Sequence, residues 1–344
     1  MSTIHPNTRQ ACFEIMRIFA MLLILVWHIK VHYMVGEEEF HPLVVKAMNF
    51  FANFISFHVD LFILITGYFG IRNNKRAIVK NLILCIIYLW AFNLFNYLEY
   101  GYCDINELIF PISHSPWWFM KVYFLLVLVA PFLERMFSTF EKKEWSAWII
   151  IVLLFNVYFG HYHHLKIVYL MGFDLMNMIT IYSIGAFLRV FAAYDNFIVR
   201  GGGQKPLFIL LIILILLRIV VGKFFYVLNL NFDAGEYCAP LTIALAVNVF
   251  LLFKQISLKL SPLIYFFSSS AVSVYLITDY PMVRHFLTKN FHQLYFRYCH
   301  NSIQGILFIV AFTIVVFALC VAIDKVRIIL QKNIEKVVLK GSSN

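Results

Sequence analysis

FEIMRIFAMLLILVWH, residues 13–28, is the centre of an apolar run covering 12–34, long enough to cross a bilayer as a helix of about 20 residues. Three ionisable side chains interrupt it: Glu14, Arg17 and His28. Each such group inside a span costs about 2.5–3.5 kcal/mol on insertion scales, so it marks a functional position by default. At about 100° per residue, the steps from Arg17 to His28 turn by about 1100° and leave the two side chains about 20° apart, on one face. Glu14 stands three residues before Arg17, where it can pair with the guanidinium and lower its cost. If the hydrocarbon begins near Phe13, Arg17 lies about 6 Å in from the cytoplasm and His28 about 22 Å in. That spacing suits a long anionic donor entering from the cytoplasm, its phosphates held by arginine and its reactive end delivered to an imidazole, which exchanges a proton at neutral pH. The structural alternative makes Arg17 a snorkelling interface residue and His28 a polar contact between helices.

Beyond this helix, similar runs recur near 45–69, 77–98, 117–137, 145–160, 174–192, 206–222, 237–253, 262–286 and 302–330. The 344 residues are 62% hydrophobic and only 13% charged, which excludes an ordinary water-soluble fold. The runs are long and do not alternate, so the expected class is an all-α integral membrane protein of about ten transmembrane helices. One transmembrane domain is expected over 12–330, followed by a short basic tail, 331–344, and no fused soluble domain. The start, MSTIHPNTRQ, lacks the pattern of a cleaved secretory signal.

The net charge of +10 is spread over short loops, which argues against a nucleic-acid partner. Lys and Arg gather in alternate loops: Arg9, then Arg72, Lys75 and Arg76, then Arg135, Lys142 and Lys143, then Arg200 and Lys205, then Lys254 and Lys259, and a last group from Lys325 and Arg327 to Lys340. The other loops hold only Lys166, Lys223, Lys289 and Arg297, with the acidic run Glu37 to Glu39. Both termini are therefore expected in the cytoplasm. Six cysteines without CxxC spacing suggest neither a disulfide framework nor a zinc site, and no metal is expected. His161, His163 and His164 read as a solvated external loop, lacking carboxylate or cysteine neighbours in sequence. Gly201 to Gly203 read as a cytoplasmic turn rather than a phosphate loop.

The first helix, with an arginine, ten residues and a histidine, resembles the opening helix of membrane acyltransferase family 3. VDLFILITGYF (59–69) is similar to that family's VDxFFxxSGY/F segment, and Arg72, Lys75 and Arg76 follow where the family carries basic residues. PWWFMKVYFLLVLVAP (116–131) and SSSAVSVYLITDYP (268–281) resemble two further motifs, so the likeness covers nearly the whole chain in order. The departures are Ile63, Thr66 and Thr278, the last standing where the family often has histidine. The resemblance implies an integral membrane O-acyltransferase of the cell (inner) membrane. Acyl-CoA, acetyl-CoA foremost, would be a co-substrate with no bound cofactor, and the acceptor a carbohydrate or lipid-linked glycan brought to the membrane lipid.

On this reading His28 is the base or acyl carrier, Arg17, Arg72, Lys75 and Arg76 hold the donor, and Asp279, at the depth of His28, orients or charges it, the structural alternative being an outer-end cap or a water-facing acid. Thr278 and Glu14 are orienting residues. Asp60 lies nearer the depth of Arg17 and is expected to pair with it in a structural role; His58 carries no firm role. Trp117 and Trp118 fit an interfacial aromatic belt or an acceptor-binding platform. The alternatives are a glycan or lipid transporter, for which the sequence shows no internal repeat, and an inactive acyltransferase-like scaffold.

Overall fold

The computed structural model describes residues 10–71, 74–162, 171–191, 203–227 and 235–340, and among these every regular element is helical. Backbone groups in hydrocarbon must be paired within their own segment, and helices do this. Among the described residues, seven helices are long and apolar enough to cross a membrane: Ala11–Tyr33, Pro42–Phe69, Lys75–Tyr100, Trp118–Thr139, Lys142–Tyr162, Gln204–Phe224 and Ser302–Lys332.

In chain order the α-helices are α1 (Ala11–His28), α2 (Pro42–Ile55), α3 (His58–Phe69), α4 (Asn74–Tyr100), α5 (Ile105–Ile109), α6 (Trp118–Thr139) and α7 (Lys142–Phe155). They continue with α8 (Leu175–Val190), α9 (Gln204–Val227), α10 (Pro240–Lys254), α11 (Pro262–Ser268), α12 (Ala271–Asp279), α13 (Pro281–Tyr298) and α14 (Ser302–Lys340). The shorter apolar helices α8 and α10 fall on the sixth and eighth runs of the sequence. The ninth run, 262–286, is divided among α11, α12 and the start of α13. Pro281 sits at the start of α13, where a missing N–H costs nothing, while its ring bars a continuous helix through Asp279. Helix α14 passes residue 330 and continues through Lys340, taking up most of the expected tail.

Among the described residues two segments are π-helical, Ile29–Tyr33 after α1 and Asn156–Tyr162 after α7. Such wide turns are uncommon and concentrate at functional sites.

The contacts gather into two units. The first comprises the described residues of Met1–Trp27, Lys46–Gly70 and Glu134–Ser269. Its tightest packing is α3 against α8. A Cβ on Gly67 would lie 2.1 Å from the Tyr182 carbonyl oxygen, and one on Gly185 would lie 2.4 Å from that of Leu64. Small residues let two helices approach to backbone contact, the main attraction where lipid tails are as apolar as side chains. The Glu134 carboxylate accepts from the Tyr182 hydroxyl at 2.7 Å and from Arg189 Nη2 at 2.8 Å. Ser56 and Phe57 break the span between α2 and α3, and Ser56 Oγ accepts from Nη2 of the buried Arg218 at 2.7 Å.

The second unit comprises the described residues of His28–Val45, Ile71–Leu133 and Ser270–Asn344. A buried ion pair ties its helices. Arg327 on α14 donates Nε and Nη2 to the Asp324 carboxylate at 2.7 and 2.8 Å, and Nη2 also reaches Ser273 Oγ of α12 at 3.2 Å. Tyr88 of α4 donates to Asp324 at 2.6 Å, and Gln331 donates to the Lys80 carbonyl of α4 at 3.2 Å. Arg327, counted from sequence as a charge of the cytoplasmic end, is thus buried within a helix.

Two outcomes follow from this packing. Gly67→Ala or Gly185→Ala costs about 1–3 kcal/mol through overpacking, read as a lower thermal midpoint in detergent, whereas Gly222→Ala, inside a helix with open space around its Cβ, leaves the midpoint unchanged or raises it slightly. Arg327→Met strands the buried Asp324 carboxylate at about 3–5 kcal/mol, and the double variant Asp324→Leu/Arg327→Met recovers most of that loss.

Candidate active site

His28 is the last α-helical residue of α1, and the π segment that follows decides what it meets. The wider turn, closed by Met34 N–H to the Ile29 carbonyl at 2.9 Å, sets the His32 ring 5.3 Å from that of His28. Helix α13 fixes the segment from outside. His292 Nε2 donates to the Tyr33 carbonyl at 2.7 Å, and the Thr288 hydroxyl donates to the His32 carbonyl at 3.3 Å. These bonds answer carbonyls that the irregular turn would otherwise expose.

Asp279 arrives from the break between α12 and α13. Its Oδ1 lies 3.8 Å from His32 Nε2 and 3.6 Å from Arg284 Nη1. One ring nitrogen each of His28 and His32 and one Asp279 carboxylate oxygen lie within 4.8 Å of one another. His28 and Asp279 are buried, His32 is partly exposed, and Tyr275 flanks His28 at 6.1 Å between rings. An imidazole beside a carboxylate can take up a proton and be stabilised as imidazolium, which is the acid–base work of group transfer. Two imidazoles and a carboxylate are also a metal-type donor set, but here the Arg284 guanidinium competes for the same carboxylate.

The other residues singled out from sequence are placed as follows. Arg17 donates to the buried Glu14 carboxylate at 2.5 Å, as the three-residue spacing suggests. The expected Asp60–Arg17 pair is absent among the described residues. Arg17 already has Glu14, and Asp60 is wholly buried next to Asn177. His58 is buried between the rings of Trp27 and Tyr237. Thr278 donates its hydroxyl to the Val274 carbonyl of its own helix at 2.9 Å.

Trp117 corrects the surface reading. It has no exposed face, and its indole N–H donates to the Leu276 carbonyl at 3.0 Å, holding the end of α12 from which Asp279 projects. Trp118 is partly exposed and meets Phe119 edge-on. Lys75 and Arg76 are exposed at the start of α4, and Arg72 lies outside the described residues.

Several groups escaped the sequence reading. Arg284 was hidden by the break at Pro281, which a continuous ninth run does not anticipate, whereas His32, four residues after His28 and so on the same face of a helix, could have been found by its spacing. Arg218, a lone arginine inside an apolar run, carries the same insertion-cost signal as Arg17 and could have been found by it. His161 corrects the solvated-loop reading: it is buried, its Nδ1 lies 2.7 Å from Glu236 Oε2, and Cys238 stands beside them. His163 and His164 lie outside the described residues.

No curated protein and no solved structure matches the chain. A family model does: that of acyltransferase family 3, described as an acyltransferase domain, matches residues 10–325, an interval that contains α1, the π turn with His32, and the Asp279–Arg284 corner. With all of these elements inside the matched interval, the chain belongs to acyltransferase family 3 and is a membrane acyltransferase.

Proposed function

We propose that this membrane acyltransferase moves an acyl group, acetyl foremost, from acyl-CoA to a hydroxyl of a cell-surface or lipid-linked glycan. On this reading it works in the cell (inner) membrane through about ten spans, the broken ninth run among them, with both termini in the cytoplasm. The observation that supports the chemistry is the buried His28 imidazole within 4.8 Å of the Asp279 carboxylate. Support for the donor is the charge pattern: Arg17 on α1 and the basic group Arg72, Lys75 and Arg76, suited to phosphates.

His28 takes the proton of the acceptor hydroxyl as its oxygen attacks the thioester carbonyl. The C–O bond forms, the C–S bond breaks, and the imidazolium returns the proton to the CoA thiolate. In the covalent course the imidazole nitrogen attacks the thioester carbonyl, the C–N bond forms as the C–S bond breaks and CoA leaves as thiolate; the acceptor oxygen then forms the C–O bond as the C–N bond breaks, and its proton passes through the freed imidazole to the thiolate. Asp279 stabilises the imidazolium in either course. His32 and Arg284 hold that carboxylate in place.

Membranes holding wild type and His28→Ala at matched expression, given a panel of short-chain acyl-CoA donors and glycan acceptors, test this. His28→Ala should slow transfer by about 10²–10⁴-fold, and Asp279→Asn by at least about tenfold. Absence of CoA-dependent transfer in wild type with every donor and acceptor refutes the donor assignment, and equal activity in Asp279→Asn removes that carboxylate from the mechanism.

A further inference from the structure

A second cluster lies within the first unit, and the acyl-transfer reading makes no use of it. Three stretches converge there: the π segment Asn156–Tyr162, the turn at Met171 to Asp174, and the approach to α10. Asparagines hold the first two together. Asn156 Nδ2 donates to Asn177 Oδ1 at 2.9 Å, and Asn177 Nδ2 donates to the Gly172 carbonyl at 3.2 Å. Gly172 has φ +91°, and a Cβ there would lie 2.5 Å from Tyr237 Cβ and 2.8 Å from Cys238 N, so only glycine lets the turn rest on Cys238.

Into this frame project the imidazole of His161, the carboxylate of Glu236 and the thiol of Cys238, all buried or nearly so. One ligand atom from each lies within 4.8 Å of the other two. We propose that these three side chains bind a divalent zinc ion, with the fourth position left to water or to Asp174.

The donor chemistry selects the metal. Nitrogen, thiolate sulfur and carboxylate oxygen together suit a borderline-soft ion of tetrahedral preference, whereas magnesium and calcium take oxygen alone. The geometry needs little adjustment. Usual zinc bond lengths at tetrahedral angles put sulfur and oxygen about 3.6 Å apart and nitrogen and oxygen about 3.4 Å apart. The Cys238 Sγ to Glu236 Oε2 separation is 3.8 Å, and the His161 Nδ1 to Glu236 Oε2 separation is 2.7 Å, so one small opening of the imidazole–carboxylate pair admits the ion.

Charge agrees as well. Cys238 lies in the field of Glu236, Asp174 and Asp60, and a buried oxygen of Asp60, Oδ2, has no hydrogen-bond partner among the described residues. A zinc ion bound by one thiolate and one carboxylate is neutral, so the cluster can hold it without a net buried charge. Binding releases the Cys238 proton to water and fastens the three stretches to one another. This site stands apart from the acyl-transfer chemistry and from its failure or success.

The experiment uses the full chain, purified in detergent without a histidine tag, stripped with chelator and reloaded with zinc or with cobalt as a spectroscopic probe. Wild type should retain about one zinc per chain and, with cobalt, show a thiolate-to-cobalt charge-transfer band. Cys238→Ser should abolish the band, His161→Gln and Glu236→Gln should weaken binding by about 100-fold or more, and Cys103→Ser should leave it intact. Cobalt bound at His28, His32 and Asp279 would give no thiolate band, so the two donor sets are distinguished. Glu236→Gln keeps the side-chain shape and a bond to His161, and it decides the matter should Cys238→Ser fail to fold. A wild type that retains no metal, or a monodisperse Glu236→Gln protein with unchanged affinity, overturns the assignment.

Discussion

A charged or polar group carried among apolar side chains must arrive with its partner, because the surroundings supply neither water nor counter-ion. This constraint accounts for most of what is irregular in the structure. Arg17 brings Glu14 on the same helix, Asp324 is met by Arg327 and Tyr88, and the Arg218 guanidinium reaches Ser56 where α2 gives way to α3. Asp279 answers to His32 and Arg284 at the interruption that Pro281 enforces. The helical surroundings of these points are ordinary. Departures from regular helix, at Ser56, after His28, after Phe155 and around Asp279, coincide with places where polar groups meet.

The same constraint bears on reactivity. A buried imidazole with a carboxylate nearby is kept from bulk water while retaining a group that welcomes its protonated form. Trp117 contributes without touching the chemistry: its indole N–H takes up a carbonyl near the end of α12 and steadies the helix that presents Asp279. Its position beside Trp118 in sequence suggests a surface pair, yet the two side chains have different surroundings.

Much of this was legible in the residues. Apolar runs and intervening charge give the helical class, the one-turn spacing gives Glu14 with Arg17, and rise along the helices brings His28 and Asp279 to one depth. What was illegible depends on local geometry or on distance along the chain. His32, four residues after His28, shares its face in a regular helix and was legible from that spacing, whereas the π turn that follows His28 was not. The ninth run looked continuous because its apolar content hides the breaks near Ser269 and Tyr280. His161 and Glu236 are 75 residues apart, so neither spacing nor composition could pair them, and the histidine-rich run around His161 looks like any hydrophilic loop. Asp60 was misassigned because depth alone cannot choose among partners when several helices cross at that level.

The π segment after His28 has a consequence for how relatives are compared. A π turn is an α-helix that has accommodated one more residue, and an added residue rotates everything beyond it by about 100°. A relative with an uninterrupted first helix would align well through the histidine at position 28 and then drift by one place, so that the residue occupying the place of His32 would be its thirty-first. Ungapped alignment across Ile29–Tyr33 would thus score His32 as variable even if every structure kept an imidazole at that point in space. Position in the fold, rather than column in an alignment, is the unit in which this corner of the protein is inherited.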